Sequence, residues 1–294
     1  MKKISFVGFF ICLFSFLLVP KANGKNKISK SSDKYSVSQD NIKTLIDFLN
    51  HKDFNTPDFS CRLAYFMDSI ITQQPDTIFN VSCRLIDNCS SDKAKQWTLD
   101  FLFYRAIDSQ IPWMENVWVK LAERYYLKQP FGNEDPGWIE RLKYTVKLKK
   151  HCLIGEKAVL FTALTPQGDT LNLKDLSGKY MIICFYDPDC THCKEAIPSL
   201  HKLYKKYTPK ELSIVAFNIS DDINLWRSFI QKHKLQDWTN LWDPDRDISR
   251  YDNFYDTPLS PSFYILDSER RIISKDIEIE EVKTFLTEQL SAKN

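Results

Sequence analysis

The chain has 294 residues, of which 43% are hydrophobic and 27% charged, and its formal net charge is +2. This length is enough for two domains with full cores, and the composition is that of a globular protein rather than a disordered or disulfide-dense one. The near-neutral charge gives no electrostatic basis for binding nucleic acid or an anionic membrane surface.

The N-terminus has the pattern of a secretory signal peptide. Lys2 and Lys3 precede an apolar run of 16 residues, ISFVGFFICLFSFLLV, and Ala22 and Gly24 are the small residues of a cleavage site. The run is shorter than the roughly 20 residues of a membrane span, which disfavours an N-terminal anchor. We therefore predict a cleaved signal peptide over residues 1–24, a periplasmic or otherwise exported protein, and no stable membrane insertion after cleavage.

The next part of the chain has helical periodicity. Residues 25–38 are rich in lysine and serine, which predicts a flexible leader. Over residues 39–150, apolar residues recur at helical spacing in six successive stripes, with prolines between the stripes. We predict an all-helical domain over 39–150, whose aromatic stripes form core rather than a ligand pocket.

Beyond residue 151 the pattern changes to short apolar runs. MIICFY at 181–186 is apolar throughout, as expected of a strand buried on both faces, and SIVAF and SFYIL predict two further strands. A hairpin strand is predicted near 271–274. Helical patterns cover residues 191–207, 222–233, 245–251 and 278–290. This order predicts a mixed α/β layered domain over residues 151–294.

Two cysteines lie between the first predicted strand and the helix after it, in the stretch DPDCTHCKE. A helix N-terminus carries partial positive charge and free N–H groups, so it stabilises a thiolate at Cys190, and a thiolate is the species that attacks a disulfide. Cys193 shares one helical face with Ile197 and Leu200, so we expect it to be turned toward the sheet. An exposed attacking thiol with a shielded partner is the arrangement of a dithiol redox catalyst.

Three other interpretations of this pair are weaker. A zinc site would need about four ligands, and no second cysteine or histidine pair with suitable spacing accompanies His192 in this domain. A purely structural disulfide would not require the strand-to-helix position. A peroxide-reducing cysteine follows Thr or Ser by three residues, and this chain has Asp187 there. We predict no metal and no cofactor; without a nucleotide-binding fingerprint, the electrons must come from a partner.

Residues 155–290 resemble the thioredoxin superfamily, and in particular the exported TlpA/ResA-like thiol–disulfide oxidoreductases. The resemblance rests on CTHC after a buried strand, on Pro198 in the following helix, on Pro261 within SPSFYILD, and on the turn PQGD with LKDLSGKY. It implies an α/β thioredoxin-like fold, with a central mixed sheet flanked by helices. The all-α part before it resembles the N-terminal domain fused to such modules in Gram-negative envelope proteins.

The resemblance also implies residue roles. Cys190 attacks the disulfide and Cys193 resolves the mixed disulfide. Pro261 is the cis-proline that, with Ser260, shapes the substrate groove; Pro258 is the alternative position for this proline. The implied partners are client proteins with disulfides and a membrane thiol–electron donor. We expect reduction of clients, with a DsbA-like oxidant or isomerase, a non-catalytic binding protein, or an interaction role of the helical domain as alternatives.

Several residues depart from the family pattern. Asp189 stands where thioredoxins carry Trp, and its carboxylate and that of Asp187 disfavour a thiolate, whereas a protonated His192 near Cys190 would favour one. Cys184 occupies the position of the buried aspartate of thioredoxin. Ala196 occupies that of the glutamate of ResA-like proteins, and Glu195 beside it is rotated by about 100°. The sequence therefore assigns thiolate tuning to His192 and Asp189 but leaves the proton-transfer group open.

The helical domain contains a candidate structural disulfide. Antiparallel helices over 57–73 and 76–89 would place Cys61 opposite Cys89. A bond between them would contribute about 3–4 kcal/mol to stability. The alternative is that all cysteines of this domain are buried thiols.

Overall fold

The computed structural model describes most of the chain after the predicted leader. The described residues are 39–51, 54–128, 131–132 and 134–290. The predicted signal peptide, 1–24, and leader, 25–38, lie outside them. Within these ranges no helix combines the length and apolarity needed to cross a bilayer.

Six α-helices occupy the described residues of the helical half, 39–150, as the apolar stripes predict. They are Gln39–Leu49 (α1), Pro57–Tyr65 (α2), Pro75–Asp87 (α3), Asp92–Ile107 (α4), Met114–Leu121 (α5) and Pro136–Lys149 (α6). Proline begins three of them, where its missing N–H costs nothing. The side chains of Thr56, Ser91 and Asp135 cap α2, α4 and α6 by accepting backbone N–H bonds.

Two π-helical segments interrupt this regular geometry. Phe66–Ile70 follows α2, and Ala122–Leu127 follows α5. A π turn joins residues five apart by hydrogen bonds, instead of the four of an α-helix. The extra residue rotates the residues before the turn around the helix axis relative to those after it. The helix predicted over about 57–73 is therefore present from Pro57 to Ile70, but its last turn is π-helical.

This rotation bears on the candidate disulfide, whose argument assumed a regular helix. Among the described residues, Cys61 and Cys89 are not joined by a disulfide. Cys61 lies on the exposed surface of α2. The Cys89 thiol is half-buried, donates to the Leu85 carbonyl at 3.3 Å and lies 3.6 Å from the Thr98 hydroxyl. The cross-link is thus not formed in this structure.

Several aromatic residues of the helical half belong to its core, whereas Tyr65, Tyr104 and Tyr144 are exposed. Phe103 is 1% exposed and meets Trp118, Tyr126 and Trp138 edge to face, with ring centroids 6.2, 4.9 and 6.3 Å away. Edge-to-face pairs of this kind stabilise a core beyond the area they bury.

Seven strands within the described residues form one mixed sheet in the thioredoxin-like half, 151–294. They are Thr162–Leu164 (β1), Thr170–Asn172 (β2), Tyr180–Tyr186 (β3), Leu212–Asn218 (β4), Thr239–Trp242 (β5), Ser262–Leu266 (β6) and Ile272–Lys275 (β7). The spatial order is β2-β1-β5-β4-β3-β6-β7. The central strand β3 runs parallel to β4 and antiparallel to β6. The helices of this half are Thr191–Tyr204 (α7), Ile223–His233 (α8) and Ile279–Leu290 (α9).

Both faces of β3 are buried, which explains its uninterrupted apolar sequence. Ile182, Cys184 and Tyr186 belong to the core on one face, together with Cys193 of α7. Ile183 and Phe185 belong to the core on the other face. The turn that leaves β3 therefore delivers the CTHC motif to the end of a rigid, fully packed strand.

The second half differs from the predicted elements in two places. Strand β5 was not predicted. In the described chain, no α-helix covers 245–251; a short 3-10 turn, Tyr251–Asn253, begins at the last residue of that stretch. Arg246 and Arg250 have φ values of 58° and 47°, in the left-handed region, which a right-handed helix cannot accommodate.

Candidate active site

The two cysteines of the motif lie at the first turn of α7 in different environments. Cys190 is the N-cap residue of this helix, with extended backbone angles, and is partly buried. Cys193 is 0% exposed. The turn before them closes through the Cys190 N–H, which donates to the Asp187 carbonyl at 3.1 Å. The structure therefore places one sulfur at the helix N-terminus, near the surface, and the other in the core.

Ser260 contacts both sulfurs from across the site. The Ser260–Pro261 peptide bond is cis, and the Cys190 thiol donates to the Ser260 carbonyl at 3.1 Å. The Ser260 hydroxyl oxygen lies 3.1 Å from the Cys193 sulfur and accepts the Asp187 N–H at 3.0 Å. The hydroxyl keeps one proton and one lone pair, so it can accept from the Cys193 thiol and must donate to a Cys193 thiolate. The sequence places Ser260 in the groove, but the hydroxyl contact emerges only in three dimensions.

Burial dominates the electrostatics of the resolving cysteine. It raises the pKa of the Cys193 thiol to about 12, although the bonds from the Ser260 hydroxyl and the Asp187 backbone act in the opposite direction. Burial also raises the pKa of the neighbouring Cys184 thiol well above its ordinary value. At neutral pH, Cys193 is therefore a protonated thiol in the dithiol form.

The charged residues around the motif lie on the exposed side of the turn. The Lys194 ammonium lies 2.9 Å from the Asp189 carboxylate, and this hydrogen bond and its charge lower the pKa of Asp189. The ammonium also donates to the Asp189 carbonyl at 2.8 Å. His192 and Glu195 are exposed on the first turns of α7. The Asp189 carboxylate, expected to oppose a thiolate at Cys190, is thus paired with the Lys194 ammonium, a contact that no motif in the sequence indicates.

Comparisons with known proteins agree on the fold of this half. Residues 154–275 match the AhpC/TSA family. The thiol-disulfide oxidoreductase ResA of Bacillus cereus is 26% identical over 129 residues, which are 44% of this chain and 72% of that protein. A putative peroxiredoxin, bcp, of Coxiella burnetii is 33% identical over 97 residues, 32% of this chain and 62% of that protein.

A solved structure extends the likeness to the helical half. A thioredoxin-like protein from Bacteroides caccae superimposes with a TM-score of 0.58 and covers 95% of this chain and 99% of its own. Its sequence identity is 18%, so the likeness concerns the fold alone.

The sheet order, the strand-to-helix cysteine pair and these similarities together place the chain in the thioredoxin superfamily. Within that superfamily its sequence is similar to that of the thiol-disulfide oxidoreductase ResA.

Proposed function

We propose that the protein is exported and that it reduces disulfides in client proteins through the dithiol of Cys190 and Cys193. The observation that carries this proposal is the contact of both sulfurs with Ser260, each at 3.1 Å, with one sulfur near the surface and the other fully buried. This arrangement gives the two thiols different tasks. Export is proposed from residues 1–24, which lie outside the described residues.

The first chemical step belongs to Cys190. Its thiolate attacks one sulfur of the client disulfide, and the other client sulfur leaves as a thiolate. The product is a mixed disulfide between Cys190 and the client. The N-terminus of α7 favours this step because its partial positive charge stabilises the attacking anion.

The second step belongs to Cys193, which first loses its proton. Its thiolate attacks the Cys190 sulfur, the mixed disulfide breaks, and the second client sulfur leaves. Two electrons have then passed to the client, and the enzyme holds a Cys190–Cys193 disulfide. A dithiol donor must reduce this disulfide again, and we propose a membrane thiol–electron donor for that role.

The direction of electron flow is the part of the proposal that a redox titration decides. A potential near the roughly −270 mV of thioredoxin would support a reductant, whereas a value near −120 mV would indicate a DsbA-like oxidant. Resemblance to ResA-like proteins favours the reductant.

The function is tested by reduction of insulin or of a mixed disulfide. We expect activity in the wild type and no activity in Cys190→Ser. Cys61→Ser is the control and should be active, because it removes an exposed cysteine of the helical half, outside the CTHC motif. Equal rates in the wild type and Cys190→Ser would favour a non-catalytic binding protein. The variant Cys193→Ser should accumulate the mixed disulfide, so mass spectrometry of the trapped species would identify the client.

The match to the AhpC/TSA family raises peroxide reduction as a second candidate. We propose disulfide exchange instead because the residue three positions before Cys190 is Asp187, whose backbone N–H bonds to Ser260. Measured hydrogen peroxide consumption at a rate above that of insulin reduction would reverse this choice.

A further inference from the structure

The segment that carries Ser260 is held at its base by the helical half. The ammonium of Lys149, the last residue of α6, lies 2.6 Å from the carboxylate of Asp256, four residues before Ser260. The two side chains are only 20% and 19% exposed. Beside them, the ring of His151 meets the ring of Phe254 edge to face, with centroids 5.5 Å apart. Lys149, at the end of the helical half, and His151, just after it, thus contact the segment that leads to the cis-proline.

Lys149 is itself fixed by a second carboxylate. Its ammonium lies 2.5 Å from Glu115, near the start of α5, and Glu115 also pairs with Lys275 of β7. The side chains of Glu115 and Lys275 are 12% and 2% exposed. Burial acts to lower the pKa of Lys149, but Glu115 and Asp256 outweigh it and the net shift is upward. Lys149 therefore remains a cation that joins two carboxylates, one in each half.

Asp256 is also held from the side of the sheet. Its carbonyl accepts the Tyr264 hydroxyl of β6 at 2.6 Å, and the adjacent Tyr255 hydroxyl donates to the Val159 carbonyl at 2.8 Å. By contrast, Leu259 is 75% exposed, so the tip of the segment has little packing of its own. Ser260 therefore lies between two anchors, the Asp256 contacts before it and the start of β6 at Ser262 after it, where the Ser262 hydroxyl donates to the Leu259 carbonyl.

We propose that Lys149 and Asp256 are positioning residues for Ser260, through which the helical half sets the redox equilibrium of the Cys190–Cys193 pair. The Ser260 carbonyl and hydroxyl each lie 3.1 Å from a sulfur in the dithiol form. A small displacement of the segment weakens both contacts. The dithiol form depends on them more than the disulfide form, because a disulfide has no thiol proton to donate to the Ser260 carbonyl. The inference rests on the proposed function only in assuming that this cysteine pair cycles between dithiol and disulfide.

The test compares variants that release the anchor with variants that keep it. Asp256→Asn and Lys149→Met remove the ion pair, whereas Lys149→Arg retains a cation. Lys143→Met is the matched control, because Lys143 lies on the same helix with a side chain 68% exposed and its nearest carboxylate, Glu140, 4.0 Å away. The equilibrium constant of the pair is measured against a glutathione buffer below the unfolding transition of each variant.

We expect Asp256→Asn and Lys149→Met each to change that constant by at least about threefold, which corresponds to about 14 mV for a two-electron couple. Lys149→Arg and Lys143→Met should match the wild type. The double variant Lys149→Met/Asp256→Asn should shift the constant by less than the two single shifts combined, because both remove one interaction.

Wild-type constants in folded Asp256→Asn and Lys149→Met would overturn the proposal, as would an equal shift in Lys143→Met. If Lys149→Met does not fold, Asp256→Asn decides, since it keeps the shape and a hydrogen-bond acceptor. The measurement needs no client protein. If the wild type does not reduce client proteins, the proposed function is rejected. The role of Lys149 and Asp256 is judged separately, by the redox equilibrium constants.

Discussion

Removal of the Ser260 hydroxyl should separate the two chemical steps. The variant Ser260→Ala keeps the backbone carbonyl that accepts the Cys190 thiol but deletes the oxygen that lies 3.1 Å from Cys193. The attacking step should therefore keep its rate within about twofold, while the resolving step slows. Ser260→Thr retains a hydroxyl and is the conservative control.

The size of the effect follows from the bond that is lost. A hydrogen bond to a charged group contributes about 1.5–3 kcal/mol, and we take the lower end because Ser260 is only partly buried. About 1.4 kcal/mol is one pKa unit, so the thiolate fraction of Cys193 should fall about tenfold at any pH below its pKa. The Asp187 N–H also loses its acceptor, which adds a smaller cost in stability.

A chromogenic aromatic disulfide makes both steps visible in one stopped-flow trace. Attack by Cys190 releases one coloured thiolate, and attack by Cys193 on the resulting mixed disulfide releases the second. Cys193→Ser should release only the first and so assigns the phases. The reasoning is refuted if Ser260→Ala has a wild-type second phase, or if both phases slow by the same factor.

Three further predictions concern charges. Lys194→Met leaves Asp189 uncompensated beside the motif, so we expect slower alkylation of Cys190, by up to about threefold and less in high salt; an unchanged rate would show that this exposed pair does not affect the thiolate. Burial raises the pKa of Asp100 in the folded state above its value of about 4 in the unfolded chain, so the folded protein loses stability as the pH rises above that value. Asp100→Asn should therefore raise the urea midpoint at pH 7 but not at pH 3. Glu115→Ala leaves the buried ammonium of Lys275 without its main partner and should lower the free energy of unfolding by about 3 kcal/mol in urea titrations.

The sequence was informative wherever a local pattern reflects burial. The six helices and the buried strands β3, β4 and β6 follow from the spacing of apolar residues, and Cys193 lies on the inner face that its helical spacing predicts. Strand β5 was missed because TNLW is short and contains Asn240, whose buried side chain bonds to the Leu235 and Trp238 carbonyls. Its strand character comes from pairing with β4, which no local pattern records.

The contacts that complete the site have no local signal either. Ser260 lies 70 residues after Cys190, and Asp256 lies 107 residues after Lys149. The π-helical turns at Phe66–Ile70 and Ala122–Leu127 were likewise not predicted from the spacing of apolar residues. Motif recognition could therefore find the reacting sulfurs, but not the hydroxyl and the anchor that position them.

Among the described residues, no base contacts the Cys193 thiol to remove its proton. In the described part of the chain, the groups other than Cys190 that bond to the Cys193 sulfur are the Ser260 hydroxyl and the Asp187 amide, and neither of these is a base near neutral pH. Formation of the mixed disulfide removes the contribution by which Cys190 raises the pKa of Cys193, but burial, the largest cause, remains. The second phase should therefore accelerate about tenfold per pH unit between pH 6 and 9, because the thiolate fraction grows in that proportion while the pKa stays above the pH. A second phase that is flat across this range would mean that a base outside these contacts, supplied by the client or the solvent, takes the proton.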